Sequence, residues 1–283
     1  MGEACSARRP RLSSSVFAHH RLMFTRYVAI GDSSTEGLDD PDGRGGFRGW
    51  ANRLAERLAA AQGSVQYANL GIRGRRTRQI LDDQLGPALA MQPDLVTVFS
   101  GTNDVVARRF DADQVARDME RMQRQLIAAG ATVVTFTLPD LTPVMPLARF
   151  IRGRVHRLNE ALRYAASESG AVLVDVAQHL VASDPRLWSS DRLHANALGH
   201  FRIAAALAHA IGLGNTDDDW WQPLPEPFRR TPLGLVQDEL RWGRDHLLPW
   251  IGRHLMGRSS GDGRVPKRPH LPPMEKSLAE EGE

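Results

Sequence analysis

Short runs of β-branched and other apolar residues alternate along the chain with longer stretches whose apolar positions recur every three to four residues. The first pattern, at 26–30 (RYVAI), 64–70 (SVQYANL), 94–99 (DLVTVF), 131–136 (ATVVTF) and 171–176 (AVLVDV), predicts five strands. The second, at 50–61, 77–85, 111–129, 147–169 and 196–211, predicts helices. Leu54 and Leu58 share one face of the first helix, and Gly130 and Gly170 stand where the third and fourth close. Apolar strands separated by helices predict βαβ units, and hence an α/β fold with a parallel five-stranded sheet covered on both faces. Right-handed crossovers place the C-terminal strand ends on one edge, where ligands of such sheets bind.

The pattern stops after Gly214. Residues 215–283 hold more than half of the Pro, four of the 6 Trp and no strand signal. A helix is expected over 232–256, with Leu233, Val236, Leu240, Leu247, Ile251 and Leu255 on one face and Pro249 kinking or splitting it. The expected organisation is a disordered extension over 1–23, one α/β domain over 24–214, a Trp/Pro-rich, partly helical extension over 215–258 and a disordered tail over 259–283. Residues 1–23 carry Arg and Ser without a continuous apolar run, unlike a secretory signal, and Met23 is an alternative start. Two readings fit the extension. It wraps back over the domain, the favoured reading, or its Trp residues with Arg241, Arg244 and Arg253 anchor the protein at a membrane surface.

Composition narrows the function classes. With 283 residues, 42% hydrophobic and 24% charged, the chain can bury a sizeable core. The net charge is only +3 and Arg is dispersed, so no nucleic-acid partner is expected. The single cysteine, Cys5, forms no intramolecular disulfide, and a cytoplasmic location is the expectation. No apolar stretch approaches the roughly 18 residues of a membrane span.

Four polar motifs follow the strand ends or precede the last helix. They are Gly31-Asp32-Ser33-Ser34-Thr35-Glu36-Gly37, Asn69-Leu70-Gly71-Ile72-Arg73-Gly74, Gly101-Thr102-Asn103-Asp104 and Asp191-Arg192-Leu193-His194. A serine needs an adjacent base to act as a nucleophile, and histidine titrates near working pH. An Asp three residues before the His can fix its tautomer and stabilise the imidazolium. A tetrahedral intermediate needs donors, which a closely approaching Gly N–H and an Asn amide supply. Ser33, Gly74, Asn103, Asp191 and His194 are therefore the candidate site.

The four motifs in this order resemble those of the SGNH hydrolases, the GDSL-type esterases and lipases, over about residues 27–211. The resemblance implies a three-layer, flavodoxin-like α/β/α sandwich with strand order 2-1-3-4-5. It implies Ser33 as nucleophile, Asp191 and His194 as its partners, and an oxyanion hole from the Ser33 and Gly74 N–H groups and the Asn103 amide. It also implies a small-molecule ester as substrate and no cofactor or metal. The first motif reads GDSS where GDSL is common, and the fourth reads DRLHAN where the family often has DxxHPN; neither departure removes a reacting group.

Each motif also has a plainer explanation. Ser33 suits a helix N-cap, Asn103-Asp104 a turn, and His194 a loop. Their co-occurrence favours the catalytic reading. His194, His200 and His209 lack the tight ligand spacing of a metal site. The Gly-rich stretch 39–49 lacks the Lys-Ser/Thr of a phosphate loop. Acyl transfer to an alcohol would use the same triad, and an inactive scaffold acting as a binding protein is the alternative from another class.

Overall fold

The computed structural model describes residues 23–213, 218–226, 240–249 and 260–275. The expected disorder of 1–22, Cys5 included, lies outside them. Strands β1 (Arg26–Gly31), β2 (Ser64–Asn69), β3 (Leu95–Phe99), β4 (Thr132–Phe136) and β5 (Val172–Val174) form a parallel sheet in the order 2-1-3-4-5. Each falls on a predicted apolar run, and β3 is buried at every position, as a central parallel strand must be. Only β5 is much shorter than its run. Asp175 turns the chain there, accepting hydrogen bonds from Thr137 Oγ1 at 2.7 Å and the Arg163 guanidinium at 2.9 Å.

Helices α1 (Ser33–Glu36) and α4 (Thr102–Val105) are single turns inside the first and third motifs. Helices α2 (Gly49–Gln62) and α7 (Ala197–Ala210) pack together on one face. On the other lie α3 (Thr77–Ala90), α5 (Ala112–Ala128) and α6 (Arg152–Ser169), giving the expected three layers. Helix α3 runs five residues past its predicted end, through Gly86-Pro87. Its face of Ile80, Leu81, Leu85 and Ala88 stays buried across the weak point. The core centres on Tyr27, Trp50 and Tyr67, with Phe99 and Phe136 stacked 4.1 Å apart beneath the strand ends.

The sheet has a sixth strand, which corrects the five-stranded expectation and that of a disordered 259–283 tail. Strand β6 (Pro273–Glu275) pairs antiparallel with β2, Gln66 opposite Pro273. It can sit there because Pro is tolerated on an edge strand. Side chains before it fix its place: Lys267 Nζ donates to the carbonyls of Phe47 (2.7 Å) and Arg48 (2.9 Å), and Arg268 Nε donates to that of Tyr67 (2.8 Å). Residues 276–283 lie outside the described segments.

Of the predicted 232–256 helix, 240–249 is described and helical, with a widened π turn at Gly243–Leu247. That turn lies just before Pro249, which has no N–H to bond back along the helix. Leu240, assigned to the apolar face, is exposed, whereas Trp242 is buried. Trp220 packs against the main core. The described parts of the extension thus fold back onto the domain. No helix among the described residues is long and apolar enough to cross a membrane.

His200, on α7, has a structural role. Its Nδ1 accepts from the Trp50 N–H at 3.1 Å, and its Nε2–H donates to the Leu38 carbonyl at 2.9 Å. Burial pushes the imidazole down to about 4. The unfolded chain takes up this proton as pH falls below the ordinary value of about 6.5, and the folded chain only near 4. Stability from this group is therefore complete above pH 6.5 and is lost as pH falls from 6.5 toward 4. In urea titrations at pH 7 and 4.5, His200→Gln should lose less stability than wild type; an equal loss would assign the acid sensitivity elsewhere.

Candidate active site

The order of the sheet reverses between β1 and β3, and the first and third motifs emerge from these two strand ends. Gly31 closes β1 where a Cβ would lie 2.5 Å from the Phe99 carbonyl oxygen and 2.2 Å from Thr35 Oγ1, so only glycine fits the turn. The Gln84 side chain, from α3, clasps the same residue, accepting from its N–H at 2.8 Å and donating to its carbonyl at 2.9 Å. Asp32 caps α1 by accepting from the Ser34 N–H at 3.0 Å. This turn delivers Ser33 at the sheet edge. Burial pushes the Asp32 carboxyl up to about 7, against the cap bond and the nearby His194, which favour its charged form.

The fourth motif meets it from the loop before α7. His194 Nε2 lies 2.8 Å from Ser33 Oγ, and Nδ1 lies 2.6 Å from Asp191 Oδ2. Asp191 Oδ1 accepts from the N–H groups of Leu193 (2.9 Å) and His194 (3.0 Å), which orients the carboxylate. Asn196 caps α7 and ties the loop to the Arg186 carbonyl, while Ala195 bridges to Trp188, so the missing proline is replaced by hydrogen bonds. Trp242, from the C-terminal extension, donates its indole N–H to the Asp191 carbonyl at 2.8 Å.

Burial raises the Asp191 carboxyl, but the His194 hydrogen bond and charge, with Ser189 behind them, hold it well below the usual carboxylate range. An ionised Asp191 places the neutral imidazole's proton on Nδ1 and leaves Nε2 to accept from Ser33. Burial also pushes His194 down. The hydrogen bond and charge of Asp191, then Asp39 and Asp32, outweigh it, and the net shift is upward. Asp39 was not singled out from the sequence. Its Oδ2 lies 3.7 Å from His194 Nδ1 and 2.7 Å from Ser189 Oγ, which is also 2.6 Å from Asp191 Oδ1 and can donate to one carboxylate at a time. Asp39→Asn removes an anion that favours imidazolium, so the acidic limb of the kcat/KM profile should move to lower pH. A limb unmoved in that variant would show that Asp39 has no hold on the base.

The second and third motifs arrive beside Ser33. Gly74 sits in a turn with φ +77°, a conformation suited to glycine. Among the described residues, the N–H groups of Ser33 and Gly74 meet no acceptor. The Asn103 amide donates to the Arg75 carbonyl at 3.0 Å and, more loosely, to Asp32 Oδ2 at 3.3 Å. Asp104, for which the sequence offered only a turn role with Asn103, accepts from the N–H (3.0 Å) and hydroxyl (2.9 Å) of Thr77, fixing the start of α3.

Among the described residues, the cluster that could hold a metal is Asp39, Asp191 and His194. A cation there would compete for the Nδ1–Asp191 bond that orients the imidazole, so these residues suit proton transfer better than metal binding.

A sequence model of the GDSL-like Lipase/Acylhydrolase family matches residues 29–202, more than half of the chain and all four motifs. A GDSL lipase of Mycobacterium tuberculosis is 30% identical over 199 residues, covering 66% of this chain and 81% of that one. An acetylxylan esterase of Geobacillus stearothermophilus is 24% identical over 207 residues, 66% of this chain and 94% of that one. The fold is shared with a lipase/acylhydrolase from Enterococcus faecalis, with a TM-score of 0.56 at 21% identity, covering 68% of this chain and 97% of that one. Sequence, fold and the convergence of the four motifs on one sheet edge together make the chain an ester hydrolase belonging to the GDSL-like lipase/acylhydrolase family.

Proposed function

We propose that the chain hydrolyses carboxylic esters in two half-reactions through an acyl-enzyme on Ser33. The observation that carries this reading is the unbroken hydrogen-bond chain from Asp191 through His194 to Ser33. Ser33 Oγ attacks the ester carbonyl carbon as its proton passes to His194 Nε2, and Asp191 stabilises the imidazolium. The oxyanion accepts from the N–H groups of Ser33 and Gly74 and from the Asn103 amide, which yields its long contact with Asp32. The intermediate collapses, and His194 returns the proton to the departing alcohol. Water then takes the alcohol's place and attacks the acyl carbon as its proton passes to the same Nε2; the bond from the acyl carbon to Ser33 Oγ breaks, Oγ takes the proton back, and the acid leaves. No cofactor enters this scheme, so activity should survive EDTA.

Rapid quenching during turnover of p-nitrophenyl acetate, followed by peptide mass analysis, tests it. An acetyl group on the peptide carrying Ser33 is expected. Turnover with the adduct on another residue would overturn the assignment.

A further inference from the structure

Beside Ser33 and His194 lies a largely apolar cavity of about 90 Å³. Its floor includes the Phe99 and Phe136 rings at the ends of β3 and β4. One wall is a stripe of α7, Gly199, Arg202, Ile203 and Ala206, the i, i+3, i+4, i+7 face of a helix. The stripe starts beside His194 and advances about 10 Å away from it, at 1.5 Å per residue. Trp220 closes onto this stripe from beyond the family-matched segment, which ends at residue 202. Its ring packs edge-on against His179 at 4.7 Å, and the Arg202 guanidinium donates to its carbonyl at 3.2 Å.

We propose that this cavity receives the acyl chain of the ester, and that Trp220 forms its end wall and limits the chain to about four carbons. The proposal rests on the acyl-enzyme reading above and names the substrate class for it. Its direction follows from the chemistry. His194 Nε2 serves first the departing alcohol and then the incoming water, so both use one route and that route opens to solvent. The group that stays on Ser33 between the two steps belongs on the enclosed side. Its size follows from volume: a dry cavity of about 150 Å³ holds the six carbons of benzene, so 90 Å³ holds roughly four. The helical lining is longer than such a chain, which would extend about 5 Å. The indole of Trp220 takes up the difference.

The test compares kcat/KM for p-nitrophenyl acetate, butyrate, octanoate and laurate in wild type, Trp220→Ala and Trp220→Phe. Wild type should favour butyrate over octanoate by at least about tenfold. Trp220→Ala should raise the octanoate-to-acetate ratio by at least about tenfold, with Trp220→Phe between. A ratio unchanged in both variants overturns the proposal, because a merely structural Trp220 would scale all esters alike. So does a length preference that appears in a series of alkyl acetates instead, which would put the alcohol in the cavity. A second readout needs no turnover. Butyrate should raise the melting temperature of Ser33→Ala more than octanoate does, and adding Trp220→Ala should reverse the order. An unreversed order overturns the end wall even if no ester is hydrolysed. Chain-length failure with acetyl-Ser33 still trapped leaves the hydrolytic reading standing.

Discussion

Ser33→Ala is expected to lower kcat for p-nitrophenyl acetate by at least about 10³-fold while leaving the fold intact. The hydroxyl sits 2.8 Å from His194 Nε2, and no other group in the first motif can replace it. Ser34, the adjacent hydroxyl, accepts from the Trp50 indole N–H at 3.1 Å, away from the base. The nucleophile acts as a unit with its base, so losing either removes most of the acceleration; what remains comes from the oxyanion donors and binding. The turn itself is held by Gly31, Gln84 and the Asp32 cap, none of which needs the Ser33 hydroxyl. The melting temperature should therefore stay close to wild type. Wild-type turnover by a folded Ser33→Ala protein would end the covalent mechanism.

Asn103→Ala should cost about 10²- to 10³-fold in kcat, with KM little changed, because the amide is used only when negative charge develops. One of its bonds is structural, to the Arg75 carbonyl at 3.0 Å, so the melting temperature must be measured alongside. The looser one, to Asp32 at 3.3 Å, is the donor available to an oxyanion. Loss confined to kcat in a protein of normal stability is the expected result. An unchanged kcat would remove Asn103 from the reacting centre, and a collapse in stability with normal residual kcat would leave it only the Arg75 bond.

The sheet and the residues that converge at the candidate site were readable in the sequence because both are written locally. A parallel strand buried on both faces needs a continuous apolar run, and each motif lies directly after such a run or directly before the last helix. Features that depend on distant partners left no comparable mark. Gln84 looks like any helical glutamine until it meets Gly31, 53 residues away. Asp39 reaches Ser189 across 150 positions, and Trp242 reaches Asp191 across 51. Strand β6 was hidden by its composition: a proline-rich run with so few ladder positions reads as a breaker. Only the side-chain bonds of Lys267 and Arg268 show why it lies along β2. Helix α3 was read short because Gly86-Pro87 weakens a helix locally, and the burial that carries it through is tertiary.

The pairing of β2 with β6 also sets an order in time. Gln66 lies opposite Pro273, so 273 − 66 = 207 residues separate the partners. At about 5–20 residues per second, the ribosome needs roughly 10–40 s to make that length. Throughout that interval β2 is an open edge, the kind of template on which nascent chains pair with one another. Trp242 reaches the Asp191 carbonyl late in the same interval. A chain released early would carry every reacting group on an unsealed sheet, so early termination should yield insoluble protein rather than a smaller enzyme.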